Sequence, residues 1–116
     1  MDTMMMTRDE IRERFLSDSA EHGKAYSNGD YEKANELHKK LHDLYNQAKE
    51  QNQVDVFSGL LNDEDENVKL WAAIFTLKLY PEIAEKILLD LARESRIKMT
   101  AETTLHLWKE GKLDLL

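Results

Sequence analysis

Apolar side chains recur along this chain in steps of three and four, and nowhere do they alternate in steps of two over a sustained stretch. That rhythm predicts helices and no sheet. It is cleanest at Ala34, Leu37, Leu41, Leu44 and Ala48, which share one face of a helix ended by "QNQ" at 51–53. The segment before it carries a weaker stripe of Ile11, Phe15, Ser19, His22 and Tyr26, with Leu16 beside it. Its start is marked by "TRDE", where Thr7 and Glu10 have the offset of a capping box. "SNGD" separates the two helices: Gly29 suits a left-handed helix end, and Asp30 suits a cap for the next start. So short a connection between long helices implies an antiparallel hairpin.

A short third helix is expected with Val54, Phe57 and Leu61 inward. Val68, Ala72, Phe75 and Leu79 then fall at helical spacing, flanked by Trp71 and Ile74, a broad apolar arc that suits a central helix. Pro81 stops that helix and begins another, whose buried side reads Ile83, Ile87, Leu88 and Leu91 with help from Ala84. A last helix is expected from a Thr100 cap to about Glu110, with Ala101, Leu105 and Trp108 inward and Gly111 as its stop. The expected fold is all-α, about six helices packed as antiparallel hairpins. It forms a single helical domain over residues 7–116, after a disordered N-terminus at 1–6.

Composition narrows the function classes. A length of 116 residues allows a self-sufficient core, and one proline and four glycines favour few, long elements. The absence of cysteine excludes disulfides, thiolate metal sites and cysteine nucleophiles, and leads us to expect a cytoplasmic protein. No apolar run approaches the roughly 20 residues of a membrane helix, and "MDTMMMTRDE" lacks the layout of a secretory signal. The net charge of −7 has no basic stripe to neutralise phosphates, so no nucleic-acid partner is expected. A protein partner, a basic one above all, or self-association is favoured instead.

The acids of "NDEDENVKLW" invite a calcium reading, since a loop counted from Asp63 puts Asp65 and Asn67 at its third and fifth positions. Val68 then stands where the loop needs glycine, and Ile74 where it needs a bidentate glutamate. The run reads better as a helix start, with Asp63 as the cap, Glu66 three residues on, and Glu64 and Glu66 free to meet a basic partner.

"LLNDEDENVKLWAAIFTL" resembles the first helix of a HEAT repeat, with the unit spanning about 62–95. In that family an aspartate and a basic residue six positions later link neighbouring repeats; Asp63 and Lys69 have that spacing, with lysine where arginine is usual. More of the chain is similar to a small bacterial domain-of-unknown-function family with an armadillo/HEAT-like helical fold. The segments that carry this likeness are "NGDYEKANELHKK", "NVKLWAA" and "TAETTLHLWKEGKL", in that order. The resemblance implies a short superhelix and assigns no catalytic residue.

Candidate chemistry is sparse. There is no nucleophile elbow, no phosphate-binding glycine loop and no His-Glu-x-x-His, so no catalytic residue and no cofactor are expected. His38 and His42, four apart on one helical face, are spaced to hold a zinc ion, which makes a small metal-binding enzyme or sensor the alternative. Asp18 with His22, and Glu102 with His106, repeat that spacing. Tyr31, Asn35, His38 and His42 lie along one edge of the second helix and are not needed for its core stripe. That edge is the best candidate for a partner contact, on a non-catalytic interaction module or, more narrowly, an immunity-type inhibitor of a basic partner.

Overall fold

The computed structural model describes residues 5–94 and 97–113. Among them the chain forms five α-helices and a seven-residue 3₁₀ helix, with no strand. These are α1 (Arg8–Ser27), α2 (Tyr31–Glu50), the 3₁₀ helix (Val54–Leu60), α3 (Glu66–Thr76), α4 (Pro81–Glu94) and α5 (Lys98–Lys109). Packing divides the chain into two compact units, with the boundary between Val56 and Phe57. In the first unit α1 pairs with α2; in the second α3 packs on α4, and α4 on α5.

The first unit follows local chemistry closely. Thr7 Oγ1 accepts from the Glu10 amide at 3.0 Å, and the Glu10 carboxylate accepts from the Thr7 amide at 2.9 Å, completing the capping box. Hydrogen bonding from the Thr7 amide, and then from its side chain, holds the Glu10 carboxyl below its ordinary pKa. Just past the end of α1, Gly29 has φ +77°; a Cβ there would meet nothing, so the left-handed backbone alone calls for glycine. The Asp30 amide then donates to the Ala25 carbonyl, and the Asp30 side chain caps α2 by accepting from the Lys33 amide. α2 ends the same way with Asn52, at φ +58°, in the left-handed position. Ala34, Leu37, Leu41, Leu44 and Ala48 are all buried, as their spacing predicts, and Tyr45 joins them.

α1 is less regular. Ile11, Phe15 and Ser19 are fully buried, and the Ser19 hydroxyl donates to the Phe15 carbonyl at 2.6 Å, so its burial leaves no orphan group. The stripe then turns away: Gly23 and Ala25 are buried, His22 is half-buried and Tyr26 is 57% exposed. Residues 1–4 of the terminus expected to be disordered lie outside the described residues. Met6, however, is clamped at both backbone groups by the Gln51 side chain, at 3.0 and 2.8 Å. A fork from Arg8 to Asp55, with a further hydrogen bond from Arg8 to Gln53, ties the start of α1 to the start of the 3₁₀ helix.

Several details differ from expectation. The third helix is 3₁₀, with Val56, Phe57 and Leu60 buried and Val54 only half-buried; three residues per turn align Phe57 and Leu60. The cap of α3 is Asp65, not Asp63. Asp65 Oδ1 accepts from the amides of Asn67 and Val68, while Asp63 accepts from the Asp65 amide two residues on and so shapes the turn before the helix. Asp65→Ala is therefore expected to lower stability by about 0.5–2 kcal/mol. Asp63→Ala should lower it less, and urea unfolding of the two variants side by side checks the order.

α3 ends at Thr76, so Leu79 is 48% exposed rather than inward. Pro81 lacks an amide for another turn and biases Tyr80 away from helical geometry. α4 buries Ala84, Leu88, Leu91 and Ala92, leaving Ile87 half-buried and Ile83 55% exposed. The two alanines set that face because they admit a close neighbour. α5 begins at Lys98 after Ile97, with no side-chain cap, so Thr100 lies inside the helix. Residues 97–99 hold neither glycine nor proline to prevent this. Trp108 is half-buried, and its indole N–H donates to Glu85 at 2.8 Å, the amphipathic use of tryptophan.

Candidate functional site

The α2 edge named from sequence keeps its register. Tyr31, Asn35 and His38 are exposed and His42 is half-buried, so the four form one stripe beside the buried face. α1 supplies the neighbouring rings. Tyr26 meets Tyr31 in an edge-on pair with centroids 5.5 Å apart. His22 stacks on Tyr26 at 6.3 Å and lies 6.3 Å from His38, tilted by 49°. The hairpin thus gathers two tyrosines and three histidines along one side, starting at its turn. Glu64 and Glu66 belong to the second unit: Glu64 is exposed before α3 and Glu66, half-buried, opens it.

Sequence reasoning assigned His22 and Tyr26 to the buried stripe of α1 and so missed their part in this surface. The signal available was "YSNGD", which places Tyr26 one residue before the end of its helix, at the turn of the hairpin. Glu102 and His106 do not pair as their spacing suggests. His106 instead meets Glu110 at 2.8 Å, one turn further along α5.

Among the described residues no group of three or more histidine, aspartate or glutamate side chains is placed to hold an ion. What the cluster does have is mutual electrostatics. Partial desolvation holds the His22 imidazole below its ordinary pKa, with His38 adding repulsion; His38 is lowered by desolvation and by His42.

Both imidazoles bind protons more weakly folded than unfolded, so their contribution to stability is complete above the unfolded value near 6.5. It is lost as pH falls through the lower folded values. The melting temperature should therefore drop between pH 7.5 and 5.5, and His38→Gln should flatten that slope. Asp18, whose carboxyl burial raises, acts in the opposite sense within the carboxylate range below this window.

No helix among the described residues is long and apolar enough to cross a membrane. Comparison of the chain with models of known protein families, with curated proteins and with solved structures found no match in any of the three.

Proposed function

We propose that this protein is a non-catalytic interaction module that engages a protein partner through the side of the α1–α2 hairpin. The observation that carries this reading is the pair Tyr26 and Tyr31, 57% and 58% exposed yet packed on each other at the head of the Asn35–His38–His42 stripe. Exposed, pre-packed tyrosines lose little side-chain freedom on binding, and tyrosine is among the residues that dominate binding hot spots. The likeness of three sequence segments to a small bacterial armadillo/HEAT-like family supports the same reading, since such helical stacks offer extended docking surfaces. The excess of acid, −7 in net charge, favours a basic partner such as the target of an immunity-type inhibitor. The lack of cysteine suits a reducing cytoplasm.

The test is capture from native lysate by the wild-type protein and by the Tyr26→Ala/Tyr31→Ala double variant. A specific partner retained by the first should be retained at least about tenfold less by the second, the effect of removing one hot spot or more. Its retention should also fall with added salt. Equal retention by the two proteins, at unchanged melting temperature, would place the contact elsewhere.

A further inference from the structure

On the other flank of α2 lies an open pocket of about 460 Å³, walled by α1 and α2 within the first unit. Lys40 is two residues from both His38 and His42, roughly 160° around the helix from each, so this pocket and the tyrosine–histidine surface are separate. The volume falls in the ordinary range for small-molecule sites, about 300–1,000 Å³. Four charged side chains line it: Arg14 and Asp18 from α1, Lys40 and Asp43 from α2. Leu44 and Met6 supply apolar wall, and Ser17 and Gln47 uncharged polar groups.

Arg14 and Asp18 are one helical turn apart, and Lys40 and Asp43 are three residues apart, spacings at which opposite charges ordinarily meet on a helix. Here they do not. Among the described residues none of the four forms an ion pair or hydrogen bond. Asp18 is nevertheless half-buried, its carboxyl raised by desolvation while Lys40, across the gap, and Arg14, on its own helix, pull it back. One rim is fixed: Gln51 holds Met6 by both backbone groups and accepts from Gln47 at 2.7 Å, so the segment leading into α1 is pinned beside the opening.

The arrangement discriminates by charge. A plain anion drawn to Arg14 and Lys40 meets two carboxylates, and a plain cation drawn to Asp18 and Asp43 meets two cations. A molecule carrying both signs a few ångströms apart satisfies all four, with the guanidinium fork of Arg14 suited to a carboxylate. We propose that this pocket binds a small zwitterion, a free α-amino acid or dipeptide, with its carboxylate against Arg14 and Lys40 and its ammonium against Asp18 and Asp43. Leu44 and Met6 then face the apolar part of the ligand.

Amide NMR of the isotope-labelled full chain tests this directly, with glycine, leucine, glutamine and glycyl-leucine as probes, and with acetate and methylammonium as half-ligands. At least one zwitterion should shift amides of residues 14–18 and 40–47 saturably, with a dissociation constant below about 10 mM. Each half-ligand should bind at least about tenfold more weakly. Asp18→Asn and Arg14→Gln should each weaken the zwitterion about tenfold or more, as the loss of a charged hydrogen bond does. Both side chains stand at the pocket rim, and the spectrum itself reports whether either variant is folded. Three results would overturn the proposal: no saturable shift with any zwitterion, acetate binding as tightly as the zwitterions, or unchanged affinity in both variants.

Discussion

Phe75→Ala is expected to destabilise the protein by about 3–5 kcal/mol, read as a lower urea midpoint at unchanged slope. Phe75 is fully buried and takes edge-on contacts from two rings, Phe57 at 5.0 Å and Trp71 at 5.8 Å. Truncation removes the central side chain of that trio and both aromatic pairs with it, each worth about 0.5–1.5 kcal/mol beyond burial. The adjacent Ala72 and Ala73 are fully buried and too small to fill the void, so the cavity persists. Trp71→Ala should belong to the same class, since Trp71 is buried and removes only one of the two pairs. A loss below about 1 kcal/mol for Phe75→Ala would mean that the trio does not anchor the 3₁₀ helix to α3.

The second large effect is expected from Phe15→Ala in α1. This helix is twenty residues long but buries only two large apolar side chains completely, Ile11 and Phe15; its other buried positions are Ser19, Gly23 and Ala25. A helix in water holds mainly through its packed face, and α1 has little face to lose. Phe15→Ala should cost about 3–5 kcal/mol. It should also lower the helical circular-dichroism signal under native conditions, as α1 frays from the hairpin beyond its Thr7 capping box. Leu41→Ala, in the better-populated stripe of α2, should lower stability by about 2–5 kcal/mol without that loss of helicity.

Much of the architecture was legible in the sequence because the strongest signals are local. Thr7 with Glu10, Gly29 with Asp30, and Pro81 act within one turn of themselves, and all three mark real helix ends. The stripe of α2 was readable because most of its polar positions are charged and therefore unambiguous. Trouble began where two candidates stood close together. Asp63 and Asp65 are equally good caps in composition, and only the path of the preceding turn decides between them. Ile83 looked inward because it is large, whereas α4 seats Ala84 instead, since closeness of approach outweighs side-chain area there.

The candidate contact stripe was legible for the same reason as the core: helical spacing fixes which residues of α2 share a side. The contribution of α1 was not, because the wetness of Tyr26 depends on where the neighbouring helix stops. The charged pocket was invisible for a further reason. Arg14 with Asp18 looks in sequence like any solvated pair, and only the three-dimensional arrangement reveals that the pair stays open.

From Leu70 to Leu77 every consecutive residue is buried, across more than two turns of chain. A substitution map along the protein would consequently oscillate over α2, tolerant and intolerant by turns with the helical period, and lose that oscillation over α3. Drift can rewrite the wet sides of the other helices freely, but in this window it has no free position to use. Distant kin, when they are found, should betray themselves there first.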